Sequence, residues 1–283
     1  MPHRKGSHSG VSREKLVQFV VIKRSRSNVS RETLWYTLPG AATVCRDEPY
    51  LFRARVESMT EPSLSATLRR EIKRARLGVE RGKEAKLAAY LGELARWNEK
   101  INLTALETDL ERVTVLVVQS LQMDRAVPSS RELMVLDIGA GNGAPGLVLA
   151  VVHPYWRLDL LEPNKRKVAF LKHVARSLGL ANVKVLNARA EELAEEVSYR
   201  WAYDAVLSRA TAKLGNLIAL ADPFLAPGGR LVTLKGRQWE SELSVGLPAA
   251  LRKRYAVEEA GKLAASPGGR KMTVVAAKKE AKG

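Results

Sequence analysis

The sequence predicts an α/β fold with a mostly parallel sheet, and three observations support this prediction. From Leu133 onward, short apolar stretches alternate with amphipathic ones, as they do when strands are joined by crossover helices. A glycine-rich loop follows the first of these strands, over residues 139–146. Acidic residues end the first two strands, Asp137 and Glu162, at the edge of the sheet where ligands of such folds bind.

Each element is placed by its apolar spacing and by the residues that end it. Upstream of the alternating region we expect two helices over 64–100, interrupted at Gly78 and Gly82, and a third over 107–124. A Pro-Gly-Gly turn at 227–229 is expected to follow the last crossover helix. The remaining expectations are strands at 133–137, 157–161, 183–186, 203–207 and 230–234, helices at 143–152, 165–178 and 214–225, and a closing hairpin at Val257 and 272–276.

These elements divide the chain into four parts. Residues 1–58 mix Ser, Arg and Pro without a sustained period, so we expect a disordered extension or an upstream start codon chosen in error, with Met59 as the alternative start. Residues 59–126 are expected to form N-terminal helices packed on the core, and 127–277 the domain that contains the sheet. Residues 278–283 are expected to be a charged tail.

The charge balance indicates a polyanionic partner. The chain has 47 Lys and Arg against 30 Asp and Glu, a net charge of +17. The excess is not confined to the N-terminal extension, because the residues after 58 also carry more basic than acidic side chains. A basic protein gains affinity for nucleic acid by releasing counterions, so RNA or DNA is the expected partner, with basic tails as the alternative interpretation.

The cysteine count, the spacing of the histidines and the length of the apolar runs exclude several classes of protein. A single cysteine, Cys45, cannot form a disulfide within the chain, and the four histidines do not pair at metal-ligand spacing in the main domain. The apolar run Leu16 to Ile22 is too short to span a membrane, and no cleavage site follows it. We therefore expect a cytoplasmic protein without a metal. These features do not bear on the oligomeric state, for which a monomer is our expectation.

The glycine-rich loop fits two cofactors. Its glycines G-x-G-x-x-G, from Gly141 to Gly146, match the fingerprint of proteins that bind NAD. The stretch from Asp137 to Gly143 also reads D-x-G-x-G-x-G, the pattern of methyltransferases that bind S-adenosylmethionine. Glu162 could accept hydrogen bonds from the ribose of either cofactor. The loop by itself therefore leaves an NAD-linked oxidoreductase and a methyltransferase open.

Features farther along the chain favour the methyl donor. The pair Ala190 and Glu191 follows the third strand, where the adenine edge of the cofactor is expected. The Pro-Gly-Gly turn at 227–229 precedes the fifth strand, as is common in class I methyltransferases. The sequence contains no Y-x-x-x-K motif and no suitably placed histidine for hydride-transfer chemistry.

Five short motifs together resemble those of one family. They are W-N-x-x-x-N-L-T at 97–104, G-x-G-x-G-x-P-G at 139–146, K-x-x-F-L at 167–171, S-R-A at 208–210 and L-K-G at 234–236. Over residues 85–277 the chain resembles the RsmG/GidB family, the guanine-N7 methyltransferases of bacterial small-subunit ribosomal RNA. Singly none of these motifs is specific, but in this order they are.

The resemblance implies a class I S-adenosylmethionine-dependent methyltransferase: a Rossmann-like domain with a seven-stranded, mostly parallel sheet and an N-terminal helical extension. It implies small-subunit ribosomal RNA, or its assembly particle, as the partner. A non-catalytic RNA-binding relative that kept the fold remains an alternative. The family's cofactor positions fall on Gly139, Ala144, Ala190, Glu191 and Arg209, and the loop pattern adds Asp137, Gly141 and Glu162.

The chain departs from the family pattern in three places. Residues 115–120 stand where the family has R-H-x-x-D-S, so that Leu116 and Gln119 replace a histidine and an aspartate. Ala144 replaces a larger apolar side chain, and Asn142 stands where small residues are usual. The first departure is expected to affect contacts with RNA more than cofactor binding. Arg209 and Lys235 are expected at the mouth of the site, with Glu191 a possible ion-pair partner of Arg209.

Overall fold

A computed structural model describes residues 62–209, 212–243, 245–263 and 271–280, together with two strands near the N-terminus. The chain divides into two compact units, Met1–Glu61 and Pro62–Gly283. In the first unit, strands β1 (Val17–Arg24) and β2 (Val29–Tyr36) pair in an antiparallel register. The rest of 1–58, on which the expected extension or alternative start falls, lies outside the described residues.

The second unit begins with helices. Their bounds are α1 Leu64–Arg74, α2 Arg81–Asn98, α3 Asp109–Arg112, a π-helical segment Val113–Val118 and α4 Gln119–Asp124. The side chain of Ser63 caps α1 by accepting the N–H of Ala66, and Thr108 forms a capping box with Glu111 at the start of α3. Gly78 lies between α1 and α2, whereas Gly82 falls in the first turn of α2 and interrupts nothing.

The sheet has the seven strands that were predicted, in the order β5-β4-β3-β6-β7-β9-β8. The first five strands of this order run parallel, and β9 pairs antiparallel with both β7 and β8. Chain order reverses between β3 and β6, which creates a crevice at their carboxyl ends. The strands are β3 Met134–Ile138, β4 Arg157–Leu161, β5 Val183–Leu186, β6 Tyr203–Arg209, β7 Leu225–Lys235, β8 Tyr255–Lys262 and β9 Thr273–Lys279.

Helices cover both faces of this sheet, because successive strand residues point to opposite sides. Val135 belongs to a core cluster that also contains Leu91 of α2, whereas Leu136 belongs to a second cluster that contains Leu217. The N-terminal helices therefore share a face with the first two crossover helices. The remaining helices are α5 Gly146–Val152, α6 Lys165–Ser177, α7 Ala190–Leu193, α8 Leu214–Ala221, α9 Trp239–Leu243 and α10 Ala249–Arg252, with a 3-10 turn at Val197–Tyr199.

The turn expected at 227–229 is part of a strand instead. Helix α8 ends at Ala221, and β7 already begins at Leu225. Leu225 pairs with Tyr203, and the next pair joins Arg230 to Ala205, so the intervening residues of β7 form a bulge. A bulge needs the same glycines as a turn, which is why the sequence did not distinguish the two. At the other end, β9 extends through Lys279, and residues 281–283 lie outside the described part.

Candidate cofactor site

The loop between β3 and α5 has a backbone that its glycines permit. Gly139, Gly141 and Gly143 all have positive φ, of 75°, 48° and 92°. A Cβ on Gly143 would lie 2.4 Å from Cδ1 of Leu147, so no larger residue fits there. The loop therefore has a backbone shape that depends on glycine at these three positions.

Gly146 is fixed by close packing rather than by an unusual φ. A Cβ at this position would lie 2.3 Å from Cδ2 of Leu160 and 2.7 Å from Oδ2 of Asp137. Its N–H instead donates a 2.9 Å hydrogen bond to that same carboxylate oxygen. The first turn of α5 is thereby attached to the end of β3.

The Glu162 carboxylate holds the loop from the end of β4. Oε2 accepts the N–H of Gly141 at 3.0 Å, and Oε1 accepts the N–H of Asn164 at 2.9 Å. The Leu161 carbonyl accepts the N–H groups of Gly139 and Ala140 at 2.9 and 3.1 Å. Glu162 is buried, so it is not a solvated loop acid.

The Asp137 carboxylate is only half-satisfied. Oδ2 accepts the Gly146 N–H, whereas Oδ1 is buried and has no hydrogen-bond partner among the described residues. Burial raises the pKa of Asp137 to about 7; the nearby Glu162 charge adds to this shift, while the Gly146 N–H and the Arg209 guanidinium oppose it. A buried polar atom without a partner costs free energy, which makes Oδ1 a candidate ligand contact.

Arg209 faces the same crevice from β6. Its Nη1 is buried and also lacks a partner among the described residues. Burial lowers the pKa of the guanidinium, and the attraction of Tyr90 and Asp137 works in the opposite direction. The described ion pairs do not include the expected one between Arg209 and Glu191. A partly exposed cation and a buried carboxylate thus lie on the two strands that flank the crevice, and each has one buried polar atom without a partner among the described residues.

Tyr90 is a site residue that the sequence did not reveal. Its hydroxyl donates a 2.9 Å hydrogen bond to the carbonyl of Asn142 in the glycine-rich loop. Burial raises the pKa of this phenol, with Asp137 adding to the shift and Arg209 opposing it. The only available signal was its spacing with Leu87, Leu91 and Leu94, and that spacing indicates a core position. The N-terminal helices therefore contact the cofactor loop directly.

The other predicted positions lie in the glycine-rich loop and at the end of β5. Ala144 is buried, and its N–H donates to Oδ1 of Asn142 at 3.2 Å, so the amide side chain serves the loop itself. Ala190 and Glu191 begin α7 just after β5, the first buried and the second exposed. The structure thus groups Asp137, Gly139, Gly141, Ala144 and Glu162 around one loop, places Arg209 across the crevice, and sets the pair at 190–191 at the outer strand.

One expectation about the rim of the site was wrong. Lys235 is buried at the end of β7 and makes a 3.0 Å ion pair with Glu242, so it is not a free cation at the mouth. Leu116 and Gln119 are buried as well, in and just after the π-helical segment. These departures from the family pattern therefore lie in the interior, and their expected effect on contacts with RNA stays a prediction.

Two further features are absent from the described part of the chain. No group of three or more metal-ligating side chains lies close enough together there to hold a metal ion. No helix in that part is long and apolar enough to cross a membrane.

The geometry defines a class of protein before any comparison is made. A parallel sheet with a reversal of strand order, a loop of positive-φ glycines at that point and an acid at the end of the next strand form a Rossmann-like nucleoside-cofactor site. The loop lies at the β3–β6 crevice, where the expected class places its cofactor.

Comparison with known families identifies the family within this class. Residues 83–265 match the GidB family, described as rRNA small subunit methyltransferase G, and the chain belongs to this family. Membership confirms the prediction of an S-adenosylmethionine-dependent methyltransferase. It also excludes the NAD-linked oxidoreductase that the loop glycines had left open.

Individual relatives agree with the family match, and each is named ribosomal RNA small subunit methyltransferase G. The protein of Geobacter metallireducens is 36% identical over 177 residues, which are 62% of this chain and 79% of the relative. That of Xanthomonas oryzae pv. oryzae is 38% identical over 175 residues, 62% and 78% of the two chains. That of Janthinobacterium sp. is 33% identical over 203 residues, 70% and 89% of the two chains.

Proposed function

We propose that this protein transfers the methyl group of S-adenosylmethionine to N7 of a guanine in small-subunit ribosomal RNA. The observation that supports this most directly is a pair of buried atoms at the crevice, Oδ1 of Asp137 and Nη1 of Arg209, neither of which has a hydrogen-bond partner in the part of the chain that the structure describes. One is an acceptor on a carboxylate and the other a donor on a guanidinium. They match the ammonium and the carboxylate of the methionine moiety.

The other site residues have complementary roles in this proposal. The positive-φ glycines bring loop N–H groups close to the ligand, and Glu162 retains acceptor capacity for ribose hydroxyls beyond its two backbone bonds. Ala190 and Glu191 border the adenine. The small side chain of Ala144 leaves more room at that wall than the family's larger residue.

Transfer to guanine N7 requires positioning and no general base. N7 has an in-plane lone pair and no proton, and the cofactor supplies a methyl group on a sulfonium that leaves as a neutral thioether. The protein has to hold N7, the methyl carbon and the sulfur in line, and to keep water out. The sequence offers no convincing His/Asp pair for a general base, and this reaction needs none.

The net charge of +17 supports RNA as the substrate. N7 lies in the deep, narrow major groove of folded RNA, so an unpaired or flipped guanine is the expected target. We further propose that the protein acts as a monomer in the cytoplasm, on naked RNA or on an assembly particle. Size-exclusion chromatography with light scattering tests the oligomeric state.

The test is to map N7-methylguanosine in small-subunit RNA from a strain in which the gene is deleted. We expect one methylated guanine to disappear on deletion and to return when purified protein and S-adenosylmethionine are added to that RNA. The Arg209→Ala variant is expected not to restore it. Unchanged modification in the deletion strain would refute the proposal, and RNA binding without methyl transfer would indicate a non-catalytic relative.

A further inference from the structure

Helix α6 presents a basic surface that the cofactor site does not use. Its thirteen residues, Lys165–Ser177, include five Lys or Arg and no Asp or Glu. The apolar side of the helix is buried, so these cations face outward. Because α6 begins three residues after Glu162, the basic surface starts at the edge of the sheet where the cofactor loop lies.

A groove runs between this helix and α2. It has a volume of about 370 Å³ and is lined by Glu93, Arg96, Trp97, Lys100 and His173. The rings of Trp97 and His173 lie 5.3 Å apart at an interplanar angle of 45°. Arg96 and Lys100 are exposed at its rim. Two aromatic surfaces and two cations are thus presented to the same space.

Phe170 and Glu93 hold the rings of Trp97 and His173 in place. The edge of Phe170 contacts Trp97 with ring centroids 5.8 Å apart, which fixes the indole against the core. Glu93, the one acidic residue in the lining, forms an ion pair with Arg96 and accepts from Nε2 of His173 at 3.0 Å. Because its carboxylate is engaged by these two side chains, the groove keeps an excess of positive charge.

The groove lies close to the cofactor loop along both helices. Trp97 follows Tyr90 by seven residues, which is two turns or roughly 10 Å along α2, and Tyr90 touches the loop at Asn142. Arg166, exposed near the start of α6, precedes His173 by the same seven residues and therefore shares its face. A strand that reaches the crevice can thus continue along Arg166 into the groove.

We propose that this groove binds an unstacked base of single-stranded RNA, next to the nucleotide that is methylated. The base stacks on Trp97 and His173, while Arg166 and Lys100 contact the backbone phosphates on either side of that nucleotide. Aromatic platforms beside cations bind single strands of any sequence, because every base has a π face and every nucleotide a phosphate. An acidic peptide would engage the cations and leave the two rings without a planar partner. The proposal rests on the proposed function for the identity of its ligand as substrate RNA.

Binding of a single-stranded oligoribonucleotide, titrated at several salt concentrations, tests the groove without any methylation. We expect His173→Ala to weaken binding at least fivefold and His173→Phe, which keeps a ring, to restore it. Arg166→Ala should lower the slope of log affinity against log salt by about 0.7. Arg131→Ala is the matched control, an exposed cation stacked on Tyr155 before β3, at the other end of the strands.

Substrate kinetics and cross-linking complete the test. With small-subunit RNA, His173→Ala and Lys100→Ala should raise KM at least fivefold, keep kcat within twofold and leave S-adenosylmethionine affinity unchanged. An oligonucleotide containing 5-iodouridine should cross-link to the peptide that contains Trp97 or His173.

The experiments distinguish a failure of the groove proposal from a failure of the proposed function. If the groove variants bind RNA with the same KM as Arg131→Ala, the groove does not bind RNA, although the proposed methylation is unaffected. Cross-links found only on other surfaces would have the same meaning. A wild-type protein that methylates no RNA would overturn the proposed function, and the oligonucleotide titration would still decide the groove. Wild-type protein with no affinity for the oligonucleotide would overturn the groove as well.

Discussion

The hydroxyl of Tyr90 donates a 2.9 Å hydrogen bond to the carbonyl of Asn142, which joins the N-terminal helices to the cofactor loop. The two residues are 52 positions apart in the chain. Tyr90 is buried and lies within electrostatic range of Asp137 and Arg209. The helical extension is therefore a structural part of the cofactor site.

Removal of this hydroxyl should weaken cofactor binding. We expect Tyr90→Phe to raise the Kd for S-adenosylmethionine by about 2- to 10-fold, because one buried hydrogen bond contributes about 0.5–1.5 kcal/mol. Isothermal titration calorimetry measures this change. Tyr203→Phe is the matched control, since its hydroxyl bonds to Asp159 at 2.7 Å inside the sheet. It should lower the melting temperature and leave the Kd unchanged; equal effects of both variants on Kd would contradict a specific role for Tyr90.

Cofactor affinity should depend on pH through Asp137. In the cofactor-free protein this carboxyl has a pKa of about 7, and only its ionised form attracts the ammonium of the ligand. We therefore expect the Kd to rise as the pH is lowered from 8 to 6, with uptake of a proton on ligand release. Calorimetry in two buffers of different ionisation enthalpy measures the proton. A Kd that stays constant over this range would show that Asp137 is already ionised.

The same carboxyl should limit the stability of the cofactor-free protein. Its pKa is raised from 3.8 to about 7 on folding, so between these values the folded state holds a proton that the unfolded chain has lost. The contribution of Asp137 to the free energy of unfolding therefore falls as the pH rises from 3.8 to about 7. Asp137→Asn should therefore raise the melting temperature, more at pH 8 than at pH 5, while it weakens S-adenosylmethionine binding at least tenfold. A loss of melting temperature at pH 8 would contradict this assignment.

The guanidinium of Arg209 should be required for its shape as well as for its charge. Arg209→Lys keeps a cation but cannot place two parallel N–H groups on a carboxylate. We expect the Kd for S-adenosylmethionine to rise at least tenfold in this variant. Arg254→Lys, at the ion pair with Asp222, provides the same substitution away from the site and should leave the Kd unchanged. If both variants bind the cofactor as the wild type does, Arg209 is not a ligand contact.

A methyl group on Gly146 should disrupt the site, whereas one on Gly92 should not. The added Cβ at 146 would lie 2.3 Å from Cδ2 of Leu160 and 2.7 Å from Oδ2 of Asp137, so Gly146→Ala has to displace these buried side chains. We expect it to lower the melting temperature and to abolish measurable cofactor binding. Nothing lies within 4 Å of a Cβ on Gly92 in α2, where alanine should stabilise the helix by about 0.5–1 kcal/mol. Thermal unfolding of the two variants gives the comparison, and a neutral Gly146→Ala would refute the packing argument.

Much of the fold could be predicted because its signals are local. Strands Arg157–Leu161 and Val183–Leu186 have the predicted bounds, since a run of apolar residues between turn residues specifies a buried strand. The D-x-G-x-G-x-G loop and the acid at Glu162 were likewise recognisable, because positive φ and close approach demand glycine at fixed positions. The end of α8 was misplaced because a bulge in β7 uses the same Pro-Gly-Gly residues as a turn.

The sequence by itself determined the order of the elements, the position of the cofactor loop and the family, all of which depend on neighbours in the chain. Tertiary structure alone decided that Tyr90 touches that loop and that Lys235 is buried in an ion pair. It also decided that Asp137 and Arg209 each keep a buried atom with no partner among the residues that the structure describes. The physical reason is that burial and electrostatic environment are set by residues far apart in the chain. No local pattern reports them, and the fold brings them together.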